Sequence, residues 1–281
     1  SEKLPVRLTI VCENSVGRPL PLLGEHGFAC LVDTPAGRLL FDTGRGLALM
    51  HNLEVLGIDP ATIDAVVLSH GHNDHTGGLK RLLQSTGPRP VYAHPGIFAE
   101  RFFIRGNERR SIGMDFESGE LEAAGARFRL VDECTELAQG LWFSGQIPRV
   151  CRFEKGDPNL VTGKPDKASH EPDPFDDDAA LAIATAQGYI LLLGCAHAGL
   201  INTIEHFRNI FGNFPLRAII GGTHLGPACE EQFLATMKVL DTLGQVSIGV
   251  SHCTGQERSA LIHERFPGRV LFASAGSSFA F

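Results

Sequence analysis

The sequence predicts an α/β fold, because apolar runs of strand length alternate with segments of helical spacing through two similar halves of a 281-residue chain. Four of those runs lead to a histidine. Ile63 to Leu68 leads to His70, Tyr189 to Leu193 to His197, Ala218 to Thr223 to His224, and Val246 to Ser251 to His252. Unbroken apolar runs fit strands buried on both faces, and sites in such sheets gather beyond the strand ends. Four strands are therefore expected to deliver histidines to one rim.

In chain order, strands are expected at Arg7 to Cys12, Phe28 to Asp33 and Arg38 to Asp42, the last two joined by the turn Thr34-Pro35-Ala36-Gly37. Leu47, Met50, Leu53 and Leu56 recur at helical spacing up to Gly57, and Leu79, Leu82 and Leu83 mark a second helix after Gly77-Gly78. Strands follow at Val91 to Ala93 and Ala126 to Val131. Leu181 to Thr185 and Tyr189 to Leu193 flank Ala186-Gln187-Gly188 as a hairpin, and helices at Asn202 to Phe211 and Glu230 to Leu243 each precede a strand that ends in histidine. The pattern breaks between Gly156 and Asp178. Lys164-Pro165-Asp166-Lys167 and Glu171-Pro172-Asp173-Pro174-Phe175-Asp176-Asp177-Asp178 suit neither helix nor strand, which predicts a surface loop or lid over 156–178. Within it Asp176 and Asp177 are expected to face solvent, and Asp178 to anchor the end of the loop beside Ala180.

Chemistry is concentrated in Ser69-His70-Gly71-His72-Asn73-Asp74-His75-Thr76-Gly77-Gly78, where three histidines and an aspartate fall within six residues. Neutral imidazole nitrogen and carboxylate oxygen suit zinc, iron or manganese, and a catalytic ion keeps one position open for water. A buried strand followed by a glycine-relieved turn lets His70, His72, Asp74 and His75 converge on a small volume.

Phe41-Asp42-Thr43-Gly44 followed by that histidine motif resembles the metallo-β-lactamase superfamily, over nearly the whole chain. Gly194-Cys195-Ala196-His197-Ala198-Gly199, Gly221-Gly222-Thr223-His224-Leu225 and Ser251-His252-Cys253-Thr254-Gly255 look like a branch of metal-dependent hydrolases often labelled with dihydropterin-(ribofuranosyl)aminobenzene-phosphate synthase. The resemblance implies a four-layered αββα sandwich and two divalent transition-metal ions, zinc first, with iron or manganese as the other choices. It puts His70 and His72 on the first ion, and Asp74 and His75 on the second with His252 completing it. His197 is expected as a further ligand, and Asp42 is expected to orient a ligand loop through hydrogen bonds.

The chain departs from the common pattern after Gly194, where many members carry an aspartate as bridging ligand and this one carries Cys195. Cys195 is either a thiolate ligand or a small buried hydrophobe. His224 belongs to the site as a ligand or as a proton-transfer group. The implied activity is hydrolysis of a small, anionic substrate by a metal-bound hydroxide that Asp74 helps to orient, with phosphoesters and phosphodiesters ahead of esters and lactams. Two other classes stay open: a synthase or binder for a pterin or nucleotide-like ligand, and a diiron redox protein. Redox relatives of that kind usually carry a flavin-binding domain, for which 281 residues leave no room.

Composition agrees with one compact enzyme domain over 1–281, since 43% hydrophobic residues can bury a sizeable core and no break divides the chain. A net charge of −7 without a basic stripe argues against double-stranded nucleic acid as a partner. Arg101, Arg105, Arg109 and Arg110 cluster locally and read as a solvated helix face or, alternatively, an anion pocket. Seven cysteines without paired spacing point to a reducing compartment, and Ser1 to Pro5 opens no signal peptide. No apolar run reaches membrane-spanning length, so a cytoplasmic location is expected. Of the remaining histidines, His51, His206, His263 and His170 are expected in surface or capping roles. His26 and His94 lie at strand edges within reach of substrate, and Cys253 is expected to turn away into packing.

Overall fold

The computed structural model describes residues 6–163 and 170–281, so the expectations for Ser1 to Pro5 and for Lys164 to Lys167 lie outside the described residues. β1 (Arg7–Cys12), β2 (Ala29–Thr34) and β3 (Gly37–Phe41) run antiparallel, and β4 (Ala65–Val67) and β5 (Arg89–Ala93) extend the sheet in parallel from β3. β6 (Arg101–Arg105) and β7 (Glu108–Ser111) form a separate hairpin before β8 (Ala126–Leu130) returns beside β5. β9 (Thr135–Ala138) and β10 (Leu141–Phe143) open the second sheet, while β11 (Leu160–Thr162) and β12 (Glu171–Pro172) add to β6. β13 (Ala180–Thr185) and β14 (Gly188–Leu193) form the expected hairpin, and β15 (Leu216–Gly222), β16 (Ser247–Ser251) and β17 (Val270–Phe272) continue in parallel from β14. β18 (Ser278–Ala280) crosses back to pair with β1. Among the described residues each main sheet has seven strands.

Helices α1 (Leu49–Val55), α2 (Asn73–Thr76), α3 (Leu79–Thr86) and α4 (Ser118–Ala124) belong to the first half, and α5 (Leu200–Phe211), α6 (Glu230–Asp241) and α7 (Gln256–Arg265) to the second. Three cores show how the layers stack. Leu8, Ile10 and Phe41 of the first sheet, with Phe28 just before β2, meet Phe143, Leu181, Ile190 and Leu192 of the second in a core between the sheets. Leu49, Leu53, Leu79, Leu82 and Leu121 pack on the outer face of the first sheet, against Leu31, Leu40 and Val66. Leu200, Ile204, Phe207, Phe233 and Ile262 cover the outer face of the second, against Leu191, Leu193, Ile219 and Val250. The four-layered αββα sandwich follows. Because side chains alternate across a strand, Ile190 and Leu192 enter the middle core while Leu191 and Leu193 enter the outer one. That double burial is why these strands read as unbroken apolar runs, and truncating Leu191 to Ala would cost about 2–5 kcal/mol.

Three expectations are corrected here. The 156–178 segment is more than a loop: Leu160 and Val161 are buried and pair with Phe103 and Phe102, and Glu171–Pro172 forms a two-residue edge strand, where a proline is tolerated. Arg101, Arg105, Arg109 and Arg110 sit on the β6–β7 hairpin, not on a helix, with Arg101 buried and the other three exposed. Asp177 is buried, not solvent-facing, because Arg101 donates to its carboxylate at 2.9 and 2.6 Å. Asp176 is exposed and Asp178 buried.

Candidate metal centre

Every strand that was expected to carry a site residue does so at its C-terminal end. Asp42 follows β3, His70 stands three residues beyond β4, His197 four beyond β14, His224 two beyond β15, and His252 directly after β16. The backbone turns sharply there: Asp42, Ala196, His224 and His252 have φ between 49° and 61°, the left-handed region that side chains avoid. Gly194 shows how tight the packing is, since a Cβ on it would strike the Ser69 hydroxyl.

His70, His72 and His197 gather into one group, with a ligand nitrogen of each within 4.8 Å of the others. All three are buried, and their Nε2 atoms have no hydrogen-bond partner among the described residues. Orphaned buried nitrogens cost free energy unless something binds them. Burial first, and then the neighbouring histidines, hold His70 well below the ordinary imidazole pKa; burial does the same for His72 and His197. Neutral nitrogens converging from three sides fit a divalent transition metal.

A second group lies alongside. The Asp74 carboxylate is 3.2 Å from His252 Nε2 and 3.6 Å from His75 Nε2, and those two nitrogens are 3.2 Å apart. Burial opposes the charge on Asp74, but the surrounding histidines outweigh it and hold its pKa well below the usual range. His75 is also disfavoured as a cation by burial, yet Asp74 and Asp42 push its pKa up to about 9. A carboxylate among imidazoles is again a donor set that suits a divalent ion, which would take the place of the proton.

Hydrogen bonds aim the ligands. Asp42 accepts from Ser69 N at 2.7 Å, from Ser69 Oγ at 2.7 Å and, through Oδ2, from His75 Nδ1 at 2.7 Å. His70 Nδ1 lies 2.8 Å from Ser69 Oγ, so one buried carboxylate steadies a histidine of each group. His252 Nδ1 is 2.7 Å from Asn14 Oδ1, and its backbone N–H donates to Glu13.

Cys195 Sγ is buried 3.1 Å from His75 Nε2, inside the cluster rather than packed away as a hydrophobe. Cys253 does not turn away either: its Sγ accepts from His224 N at 3.2 Å and groups with Cys195 and His252. The ring of His224 lies tilted against that of His197, with centroids 4.3 Å apart, but His224 joins neither ligand group. Burial lowers its pKa to about 4. His224 and His197 form part of the wall of a cleft of about 620 Å³, together with Arg149, Lys155 and Phe175. His26 reaches the cluster, 3.3 Å from Asp74, whereas His94 stands outside it, buried at the start of a 3₁₀ turn. His51 and His206 bond the carbonyls of Pro21 and Ser144.

Sequence reasoning missed Asn14, Glu13, Phe175 and Asp177. Phe175 stacks flat on His197 at 4.2 Å, and Asp177 accepts from Gly71 N at 2.8 Å while paired with Arg101. The consecutive aspartates were visible, but nothing near them in sequence showed a buried arginine waiting across the fold.

The family model described as the metallo-beta-lactamase superfamily matches residues 23–150. The chain is 30% identical over 275 residues to the 7,8-dihydropterin-6-methyl-4-(beta-D-ribofuranosyl)-aminobenzene-5'-phosphate synthase of Methanocaldococcus jannaschii, covering 93% of this chain and 92% of that protein. The chain belongs to the metallo-β-lactamase superfamily. A second superfamily relative with a solved structure, Tm1679, described as a metal-dependent hydrolase of the beta-lactamase superfamily, is similar at a TM-score of 0.83 and 25% identity, with 98% of each chain covered. An uncharacterized protein of M. jannaschii is 32% identical over 236 residues, or 82% of this chain and 84% of that one. Members of the superfamily are generally hydrolytic and commonly bind divalent metals, and the histidine groups here suit that role. No helix among the described residues is long and apolar enough to cross a membrane.

Proposed function

We propose that this protein is a metal-dependent hydrolase that holds two divalent transition-metal ions, zinc first, and cleaves a small anionic substrate, with phosphoesters and phosphodiesters favoured. The observation that carries the reading is the pairing of two adjacent donor groups: three buried, partnerless imidazoles beside a carboxylate with two more. His70, His72 and His197 would hold one ion, and Asp74, His75 and His252 the other, with Cys195 Sγ as an additional donor. Bound there, such ions supply a Lewis acid and lower the pKa of a coordinated water toward neutrality.

The chain's own groups divide the remaining work. Asp42 fixes ring orientation in both groups through His75 and Ser69. Phe175 covers the face of His197 and meets His72 edge to face, which keeps bulk water off both rings. Arg149 and Lys155 offer positive charge in the cleft. Glu154, which also borders it, is occupied in accepting from Ile201 N and Asn202 N at the start of α5. His224, beside His197 on the cleft wall, is placed to hold or move a proton at a ring nitrogen toward the leaving group. The M. jannaschii relative is named for a product that carries a phosphate ester, which supports an anionic, phosphate-bearing ligand.

That same name also supports a second reading, a synthase or binder for a pterin-like ligand. Elemental analysis and a chromogenic phosphodiester panel test the proposal. The expected result is close to two ions per chain and ester cleavage that chelation abolishes. One ion or none in fully loaded protein would sink the two-ion reading, and dihydropterin binding without turnover of any ester would favour the second.

A further inference from the structure

His26 stands at the open side of the Asp74 group, with its side chain 72% exposed and its Nε2 3.3 Å from Asp74 Oδ2. His26, Asp74 and His252 place ligand atoms within 4.8 Å of one another, so distance alone would admit His26 as a further metal ligand. The hydrogen bonds around it argue otherwise. We infer that His26 is a substrate-facing hydrogen-bond donor, presenting Nε2–H to an anionic group of the substrate over the second ligand group, and not a ligand of the metal.

Asn14 sets the tautomer of His26, given the proposed ligation of His252 through Nε2. A histidine that binds metal through Nε2 carries its proton on Nδ1. His252 Nδ1 then donates to Asn14 Oδ1 at 2.7 Å, which fixes the amide with its oxygen toward His252. The amide nitrogen is left facing His26 Nδ1 at 3.2 Å and donates to it. A neutral His26 that accepts on Nδ1 carries its proton on Nε2, the atom aimed at the cluster. Ligation through Nε2 would need the opposite tautomer and would set an N–H against an N–H across the Asn14 contact.

The loop that carries His26 is held on both sides. Glu25 accepts from Arg45 N at 2.9 Å, Leu47 N at 3.0 Å and Ala48 N at 3.1 Å. Gly27 passes so close to the Asp74 carbonyl that a Cβ would lie 2.6 Å from it, and Phe28 N donates to that same carbonyl at 3.2 Å. An exposed side chain on a fixed base, with a set tautomer, is preorganised for a ligand that arrives from solvent. The ring of His26 lies 4.9 Å from that of His252, which keeps the donor over the second ligand group rather than over the cleft beside His197.

The test uses zinc-loaded protein and inorganic phosphate as the probe. Long-range proton–nitrogen NMR of the imidazoles, assigned with His26→Gln, should show His26 protonated at Nε2 and unchanged on metal addition. His26→Ala should keep the metal content of the parent but bind phosphate about tenfold more weakly, the scale of one hydrogen bond to a charged group. His26→Gln, which restores an N–H near the Nε2 position, should recover most of that loss. Loss of an ion in His26→Ala, or an Nδ1–H tautomer with Nε2 shifted by metal, would make His26 a ligand and overturn the inference. Unchanged phosphate affinity would overturn it equally. A parent protein that takes up no metal removes the premise and defeats the proposed function too, whereas a loaded parent with an indifferent His26 defeats the inference alone.

Discussion

His70, His72 and His197 bring three uncharged nitrogens together without a carboxylate among them, while Asp74, His75 and His252 surround a carboxylate with imidazoles and a thiol. Burial outweighs the carboxylates near the first trio, Asp74 acting on His72 and Asp178 4.0 Å from His70, so its histidines stay neutral. In the second group, negative charge from Asp74 and Asp42 draws a proton onto His75. Without metal, one group is an unfilled set of donors and the other is already an ion pair. The contrast teaches that neighbouring donor groups can differ in electrostatics: the first group gives up nothing to accept a cation, and the second must release a proton.

Removing the one carboxylate should have the largest effect. Asp74→Ala should lower turnover roughly 10³-fold, the scale seen when a group acting directly on the transition state is lost. Its metal content should fall toward one ion, with circular dichroism unchanged. Unaltered hydrolysis would show that the activity arises elsewhere. Next in size, His224→Ala should keep both ions but lose turnover by on the order of 10²-fold, as expected for a proton-transfer group. Loss of metal in that variant would place His224 among the ligands.

Asp42→Asn should weaken metal binding about 10–100-fold, the usual effect of altering a group that orients ligands. Because Asp42 reaches both His75 and, through Ser69, His70, competition titration should show the effect at both ions. An effect confined to one ion would separate the groups more than the hydrogen bonds allow.

The smallest effect concerns pH in the metal-free protein. His70, His72, His197 and His224 are all held below the ordinary imidazole pKa, so below about pH 6.5 these four bind more protons in the unfolded chain than in the folded one. Stability should therefore decline as pH falls from that point, for His224 down to its folded value of about 4. His75 works in the other direction: its contribution is full below about pH 6.5 and fades as pH rises toward its folded value of about 9. Thermal melts of chelated protein should show the acid-side loss, and zinc should suppress it. Asp177 and Asp178, which burial pushes up to about 6 and about 7, oppose that loss, so imidazole NMR of the chelated protein decides: protonation of the first trio between about pH 7 and about pH 5 would mean that it is not held neutral.

The contiguous group was legible in the sequence, and the dispersed contributions were legible in proportion to how local their signal was. His70, His72, Asp74 and His75 announce themselves because four donors crowd into one turn. His197, His224 and His252 were found because each ends a doubly buried strand, and a doubly buried strand leaves an unbroken apolar run. The strands of the β6–β7 hairpin and of 156–178 escaped because they are short and lie on a small sheet with little apolar periodicity. Asp177 was misread for a different reason: a run of aspartates looks solvated until an arginine seventy-six residues away arrives to neutralise it. Asn14 gave no warning at all, since its role is to relay a hydrogen bond between two rings that only the fold brings together.

The left-handed residues at the strand ends carry a consequence for how the molecule comes apart. A strand forces successive side chains to opposite faces, and one reversed turn at Asp42, Ala196, His224 or His252 frees the next groups from that alternation. Each such turn costs on the order of 1–3 kcal/mol, concentrated along a single edge of the two sheets, while the cohesion that offsets it lies in the three apolar layers behind. The strained turns of the rim are thus carried by the sandwich behind them. Local opening should begin there before the sheets separate, and whatever ties the histidines together would close the same seam.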